Sequence, residues 1–340
     1  MALNGPVLVT GASGYIAGFV IRQLVAEGWR VRGTVRDPSR HTGLAATLGV
    51  PAEALELVAA ELTADAGWAD AARGCTHMMH IASPIPSSPK DSAETLTAAA
   101  KGGALRALQA AKDAGIRRVV MTSSVAAICY GRDGPPPLFD ESHWTDPDHP
   151  DAYPYVVSKT RAERAARDWV AANAPDIELV TINPSLVVGP LLGEDRSTSL
   201  QAIEQCLTGK VPAYPRIGFA VVDVRDVADA HVKAMTLPGM ANERFIVAGP
   251  FLWFSEIGAV LRKRLGTAAR RVPTRTMPDW VVGLLGLVNP EIRMIKSEIG
   301  RERHCTSDHA RAKLGWTPRP VEDSIVDCAQ SLLVNGIVKA

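Results

Sequence analysis

The stretch Pro6–Gly18, PVLVTGASGYIAG, decides the fold. Its first five residues are typical of a short buried strand, and a helical pattern follows as far as Gly28. Between them lie Gly11 and Gly14, with Ala17 at a third small position. A strand, a glycine turn and a helix form the context of a dinucleotide fingerprint, because Gly11 permits a tight turn and Gly14 lets the backbone approach a pyrophosphate. The alternative for such a motif is a helix-opening turn that binds nothing.

The next strand-like segment, Arg30–Val35, follows at the distance expected of a βαβ unit and favours the dinucleotide interpretation. The turn after it, residues 36–40, reads RDPSR. An acid here favours NAD, whereas an arginine accommodates the 2′-phosphate of NADP. Arg36 and Arg40 therefore indicate NADP. Asp37 is the competing signal, and a surface ion pair between Arg36 and Asp37 is the alternative.

Alternating strand and helix patterns continue to about residue 190 and predict the fold class. Strands are expected at Leu55–Val58, His77–Pro84, Arg117–Ser124 and Ile177–Ile182, with a helix from Ala93 to Ala114. This order predicts an α/β fold with a Rossmann-type doubly wound parallel sheet. His77 and His80 resemble a metal pair, but residues three apart in a strand face opposite sides, so we expect structural histidines.

The alternation is lost beyond Gly189-Pro190. We therefore expect an NADP-binding core at 1–190, joined by a returning segment at about 221–235. Residues 191–220 and 236–340 would mainly form a smaller C-terminal substrate lobe. Because there is no repeat, low-complexity tract or clear linker, the two parts should form one structural unit.

Composition indicates an ordinary globular protein: 340 residues, 46% hydrophobic and 21% charged, with a formal net charge of +1. Near-neutral charge gives no electrostatic case for nucleic acid or an anionic membrane. The five cysteines are scattered and form no CxxC, which favours a cytoplasmic setting and neither a disulfide framework nor a metal site. We expect no signal peptide, and the most apolar run, Trp280–Val288, is too short to span a bilayer.

Tyr155 and Lys159 lie four residues apart in a segment that Pro154 and the following helix formers mark as a helix start. Positions i and i+4 share a helix face, which would place the ammonium beside the phenol. A neighbouring cation lowers the pKa of a phenol and makes it a usable general acid or base. The alternative is a pair that only packs. Ser123 and Ser124 end the preceding strand, where ligands bind in parallel sheets, although such serines are often only turn residues.

Taken together, Gly11-x-x-Gly14-x-x-Ala17, Ser124 and Tyr155-x-x-x-Lys159 resemble the extended short-chain dehydrogenase/reductase family. More closely, the chain resembles the branch of dihydroflavonol reductases, cinnamoyl-CoA reductases and bacterial and yeast aldehyde or ketone reductases. The similar stretches occur in the expected order: TGASGYI at 10–16, VRGTVRDP at 31–38, HIASP at 80–84, VVMTSS at 119–124, NPSLVVGP at 183–190, VDVRDVADAH at 222–231 and LGWTP at 314–318. The resemblance implies a seven-stranded Rossmann sheet with a variable C-terminal substrate lobe.

Carried over by position, the resemblance implies that Tyr155 is the catalytic acid. Lys159 would hold the nicotinamide ribose and acidify the phenol. Ser124 would hydrogen-bond the substrate carbonyl, with Ser123 as its runner-up. The implied cofactor-binding residues are Gly11, Ser13, Gly14, Tyr15, Ile16, Arg36, Glu61, Leu62, Ile81, Ala82, Ser83, Tyr155, Lys159, Pro184 and Val187.

Two positions depart from the family pattern. The usual Asp-Leu pair that touches adenine is Glu61-Leu62 here, which keeps a carboxylate on a longer side chain. Arg106 stands where many relatives carry an asparagine in the helix before the serine strand. This arginine puts the asparagine-held water of the usual proton relay in doubt.

The sequence thus predicts a reversible, NADPH-dependent reduction of aldehydes or ketones to alcohols. We expect a small-molecule carbonyl substrate, no metal, and no nucleic-acid or membrane partner; a homodimer is an allowed assembly. Apolar residues should line the open side of the site, which favours medium-sized aryl or alkyl carbonyls. These residues are Ile85, Trp144, Leu191, Phe219, Trp280, Leu284 and Met294.

Two alternative functions remain open at this point. A nucleotide-sugar epimerase or dehydratase would use the same triad but would need a diphosphate site, which Arg216, Arg225 and Arg293 could supply. A non-catalytic NADP-binding protein is the other alternative, although such proteins typically lose the tyrosine or the lysine.

Overall fold

A seven-stranded sheet forms the centre of the computed structural model, which describes residues 4–84, 92–134, 136–193, 198–210, 212–288 and 296–338. Its strands are β1 (Asn4–Val9), β2 (Trp29–Val35), β3 (Leu55–Ala59), β4 (His77–His80), β5 (Arg118–Thr122), β6 (Glu178–Pro184) and β9 (Arg244–Val247). They lie in the order β3-β2-β1-β4-β5-β6-β9, and every neighbouring pair is parallel. The predicted Rossmann-type sheet is confirmed.

Helices cover both faces of this sheet. The α-helices are α1 (Tyr15–Ala26), α2 (Leu44–Leu48), α3 (Trp68–Ala72), α4 (Ala93–Asp113), α5 (Pro154–Asn173), α6 (Thr198–Thr208), α7 (Val224–Thr236), α8 (Phe254–Leu265), α9 (Asp279–Val288), α10 (Asp308–Leu314) and α11 (Val321–Val334). Side chains alternate along β1, so Val7 and Val9 pack with α1 and α7 while Leu8 packs with α4 and α5. The central strand is therefore buried on both sides.

A small second sheet contains β7 (Leu186–Val188), β8 (Gly218–Asp223) and β10 (Phe251–Trp253), with β8 in the middle. Within the predicted returning segment, α7 packs against α1 of the core. Strand β9 lies inside the range 236–340, yet it pairs with β6 in the central sheet. The division into core and lobe stays a prediction. Sequence patterns assigned the residues of β9 to the lobe, although β9 belongs to the central sheet.

No helix of the described segments is long and apolar enough to cross a bilayer. The most apolar one, α9, has only ten residues.

Candidate active site

The glycine turn lies where the strand order reverses, between β1 and β4. Gly11 has φ +68°, and a Cβ there would lie 3.0 Å from the Cβ of Ala82. A Cβ on Gly14 would lie 3.2 Å from the carbonyl oxygen of Gly11. Helix α1 then starts at Tyr15 with no acidic residue in its first turn. Free N–H groups at a positive helix end, with little bulk around them, fit the pyrophosphate of a dinucleotide.

A threonine at the end of β1 fixes this turn to β4. The Thr10 hydroxyl accepts hydrogen bonds from the N–H groups of Ile81 and Ala82, each at 3.0 Å. It lies 3.1 Å from Nδ1 of His80, to which it can donate. Burial, and then the nearby Lys159 charge, lower the pKa of His80 to about 4, so the imidazole is a neutral acceptor. These bonds end β4 at His80, earlier than the predicted strand, and confirm a structural role for this histidine.

Tyr15 and Ile16 offer the turn their backbones. The Tyr15 ring is buried and packs edge-on against Phe19, with centroids 5.8 Å apart. Burial is the main cause that raises the pKa of this phenol. Ile16 packs against the hydrophobic core, whereas Ser13 is exposed. A dinucleotide would therefore meet N–H groups here, together with the hydroxyl of Ser13.

Arg36 and Asp37 have different surroundings at the end of β2. Asp37 accepts hydrogen bonds from the Ser39 N–H at 3.0 Å and its hydroxyl at 2.6 Å, and lies 3.6 Å from Arg40. Arg36 is exposed, and no hydrogen bond or ion pair within the described ranges engages it. The alternative, an ion pair between Arg36 and Asp37, is not formed within those ranges, so Arg36 is the guanidinium that remains available to a phosphate.

Arg106 braces the turn after β3. Its guanidinium donates to the carbonyl oxygen of Leu62 at 2.9 Å and pairs with Asp65 at 2.5 Å. Trp68 donates to the carbonyl oxygen of Glu61 at 3.0 Å. Arg106 thus has a structural function in this turn, and both its correspondence to an asparagine of the family and the adenine contact of Glu61-Leu62 stay predictions.

Tyr155 and Lys159 project from the first turns of α5, which begins at Pro154 as predicted. The Lys159 Nζ lies 5.8 Å from the centroid of the Tyr155 ring. Burial raises the pKa of Tyr155, and a hydrogen bond with Ser124 partly opposes this. The expected net lowering of the phenol pKa is therefore wrong for this structure, because burial is the largest influence on it. Burial also lowers the pKa of Lys159 to about 8, against an opposing influence of Glu163.

The two serines at the end of β5 face different partners. Ser124 caps the short helical turn Val125–Ala127, accepting from the N–H of Ala126 at 3.1 Å, and it is close enough to Tyr155 to act to lower the pKa of that phenol. The hydroxyl of Ser123 instead donates to the Glu163 carboxylate. The structure thus brings Ser124, Tyr155 and Lys159 together and directs the runner-up elsewhere.

Pro184 and Val187 flank Ser124 on the sheet. The Ser124 hydroxyl lies 3.5 Å from the carbonyl oxygen of Pro184, at the end of β6, and Val187 is buried in β7. Across the switch point, Ile81 is buried, whereas Ala82 and Ser83 are partly accessible. That these residues line the crevice in which doubly wound sheets bind their ligands stays a prediction.

Sequence reasoning missed Glu163, whose side chain is fully buried beneath the site. It accepts hydrogen bonds from Asn183 at 2.9 Å, Arg244 at 2.7 Å and Thr181 at 3.2 Å. Burial acts to raise the pKa of this carboxyl, but Arg244 and Arg167 hold the pKa below its usual value. One signal could have identified it, since Glu163 lies four residues after Lys159 on the same helix face.

The predicted apolar lining divides into several groups. Phe219, with Phe251 and Tyr130, lines a small pocket beside Val125 and Ser185. Trp144 instead stacks with Arg244, whose Cζ lies 3.8 Å from the centroid of the Trp144 ring. Leu191 packs against the core, whereas Trp280 and Leu284 are exposed on α9. Ile85 and Met294 lie outside the described residues.

The arginines considered for a diphosphate already have carboxylate partners. Arg225 makes a bidentate contact with Asp223, at 2.8 and 2.7 Å, and a third contact with Asp327 at 2.6 Å. Arg216 pairs with Asp279 at 2.6 Å. Arg293 lies outside the described residues, so the two described arginines do not form a free diphosphate site.

Comparison with known proteins agrees with this architecture. Residues 7–248 match the model of the NAD dependent epimerase/dehydratase family. Cinnamoyl-CoA reductase CAD2 of Medicago truncatula is 38% identical over 268 residues, 77% of this chain and 81% of that protein. Dihydroflavonol 4-reductase of Zea mays is 33% identical over 270 residues, 77% of this chain and 74% of that protein. The structure of Gre2 from Candida albicans in complex with NADPH is 26% identical, with a TM-score of 0.80 over 97% of this chain and 98% of that one.

Proposed function

We propose that this chain, which belongs to the NAD dependent epimerase/dehydratase family of extended short-chain dehydrogenases/reductases, reduces aldehydes or ketones to alcohols with NADPH. It is an NAD(P)-dependent reductase of that family, whose relatives include cinnamoyl-CoA and dihydroflavonol reductases. The observation that carries the finer proposal is the convergence of Ser124, Tyr155 and Lys159 at the carboxyl ends of the strands.

The three side chains divide the work on a carbonyl substrate. Ser124 and Tyr155 offer two hydroxyls to one carbonyl oxygen, which would orient it and stabilise negative charge there. The raised pKa of Tyr155 keeps its phenol protonated near neutrality, so it can give a proton to the alkoxide oxygen. The nearby ammonium of Lys159 stabilises the phenolate that this transfer leaves.

The cofactor would lie across the switch point of the sheet. Gly11, Gly14 and the first turn of α1 would hold its pyrophosphate, and Arg36 its 2′-phosphate. Ala82 and Ser83 would face it from β4, and Pro184 and Val187 from the other wall. The chemistry that NADPH supplies when bound is hydride transfer to the carbonyl carbon.

Apolar neighbours support a medium-sized aryl or alkyl substrate. The pocket beside Ser185 is lined by Phe219, Phe251 and Tyr130, and the charged residue in its lining, Arg303, is paired with Glu298. A nucleotide sugar would need cations for its diphosphate, and both described candidate arginines are bound to carboxylates. Carbonyl reduction therefore fits these residues better than epimerisation.

The test incubates the protein with NADPH and benzaldehyde-type carbonyls and, separately, with UDP-glucose or GDP-mannose. Reduction should consume NADPH in proportion to the alcohol formed and leave both sugar nucleotides unchanged. An epimerase instead returns its cofactor to the starting redox state in each cycle. Conversion of a sugar nucleotide without net cofactor change, with every carbonyl inert, would exclude the reductase function.

A further inference from the structure

We propose that Glu163 is a positioning residue that keeps Lys159 protonated and holds the backbone of Ser124, and so sets the upper pH limit of the reaction. The inference rests on the proposed function for its kinetic part. It concerns a buried carboxylate that touches neither the substrate side of the site nor the expected cofactor crevice.

Glu163 is held from four elements. On its own helix, Arg167 Nε lies 3.4 Å from Oε1. Arg244 of β9 donates to the same oxygen at 2.7 Å, and Thr181 of β6 donates at 3.2 Å. Ser123, directly after β5, and Asn183 of β6 donate to Oε2. A carboxylate with this many donors is fixed in position and ionised.

The network reaches Ser124 through Asn183. The side-chain amide of Asn183 donates to Glu163 at 2.9 Å and to the carbonyl oxygen of Ser124 at 3.1 Å. The adjacent Ser123 hydroxyl is bound to the same carboxylate. Glu163 therefore fixes the end of β5 from two sides, and with it the position of the Ser124 hydroxyl.

The network reaches Lys159 through charge. On α5, Lys159 has the neutral phenol of Tyr155 on one side and Glu163 one turn further along. From β4 it faces His80, whose imidazole stays neutral. Arg167 and Arg244 both pair with the carboxylate, which offsets part of their positive charge. Burial lowers the pKa of Lys159 to about 8, and Glu163 is the charge that opposes the effect.

Replacing Glu163 with glutamine would leave the buried Arg244 and the partly buried Arg167 without the carboxylate that they share. The pKa of Lys159 must then fall further, because like charges and burial both disfavour the ammonium. In the wild type the ammonium is lost as pH rises through about 8. In the variant it would be lost at lower pH, so the basic limb of kcat/KM for reduction must move to lower pH.

The experiment compares Glu163→Gln, Glu163→Asp and Ser123→Ala in pH profiles of kcat/KM and of the NADPH dissociation constant. We expect the apparent pKa of the basic limb to be lower in Glu163→Gln than in the wild type by about one pH unit or more, which is the scale of a lost neighbouring charge. Glu163→Asp retains the charge and should move the limb much less. Ser123→Ala removes a hydrogen-bond donor to Glu163 but no charge, so the basic limb of this variant should stay in place. If the role of Glu163 were purely structural, loss of the Ser123 bond should also disturb the profile.

A charge-balanced variant, Glu163→Gln/Arg244→Gln, replaces the single variant if that does not fold. It lacks the carboxylate but leaves only Arg167 uncompensated, so its limb should lie between those of the wild type and Glu163→Gln. Basic limbs that coincide with the wild type in both measurements would overturn the inference. If the wild type reduces no carbonyl, the proposed function fails, and the pH dependence of NADPH binding still tests the role of Glu163.

Discussion

The ammonium of Lys159 lies 5.8 Å from the ring centroid of Tyr155, one helical turn away, with the lysine buried. A cation on the same helix face, one turn away, can stabilise a phenolate through its charge. Burial raises the pKa of the phenol and lowers the pKa of the ammonium to about 8. Near neutrality the pair therefore combines a protonated phenol with a charged lysine, the state required of a proton donor.

Tyr155→Phe should lose turnover by roughly two orders of magnitude or more, the typical scale of general acid catalysis. NADPH binding should persist, because the phenylalanine ring occupies the same space. Steady-state kinetics and fluorescence titration with NADPH measure the two effects. Tyr153→Phe is the matched control, since Tyr153 packs edge-on against Tyr130 and should keep near-normal turnover.

Ser124→Ala and Ser123→Ala should separate the two serines at the end of β5. Ser124→Ala removes a hydroxyl from the proposed carbonyl site and should lower kcat by about tenfold or more. Ser123→Ala removes a buried hydrogen bond to Glu163 and should destabilise the fold by about 1–3 kcal/mol, with a smaller kinetic effect. Kinetics and denaturant unfolding decide, and the reverse pattern would assign the carbonyl contact to Ser123.

Arg36→Ala should weaken NADPH binding and leave NADH binding nearly unchanged, because only NADPH carries the 2′-phosphate. Arg40→Ala is the control, since Arg40 lies beside the Asp37 carboxylate and should matter less. Dissociation constants for both cofactors measure the effect. Equal wild-type affinities for NADPH and NADH would mean that Asp37 governs the site.

The buried imidazole of His231 should make stability fall in acid. Burial lowers its pKa to about 4 from 6.5, so the unfolded chain binds a proton that the native state does not. This contribution is present above pH 6.5 and is lost as pH falls towards 4, by about 1.4 kcal/mol per pH unit. His231→Gln should flatten the decline between pH 7 and 5. An unchanged slope in urea unfolding would contradict this origin.

The family, the central sheet and the cofactor class could be predicted because they depend on local sequence patterns. The glycine turn, the alternation of strands and helices and the spacing of Tyr155 and Lys159 predicted the family, the sheet and an NADP(H) enzyme. Local patterns also placed β9 in the lobe, because its return to the sheet is a long-range pairing with β6. The carboxyl end of β4, at His80, is set by hydrogen bonds with the Thr10 hydroxyl, which lies seventy residues earlier in the sequence.

The polar network of the site could not be predicted in the same way. The role of Glu163 depends on its hydrogen bonds with Ser123, Asn183 and Arg244, which are distant in sequence and come together only in the folded chain. The direction of the Tyr155 pKa shift also needed the structure, because burial decides it. Arg106 was recognised as a departure, but its bonds to the turn after β3 depend on how α4 packs.

Transfer of deuterium from NADPH that carries deuterium at both C4 positions tests the central claim most directly. With a medium-sized aryl aldehyde, the wild type should form an alcohol that carries one deuterium on the former carbonyl carbon for each NADPH oxidised. Tyr155→Phe should form it at least about a hundredfold more slowly. An unlabelled alcohol, or labelled product formed equally fast by Tyr155→Phe, would contradict the account.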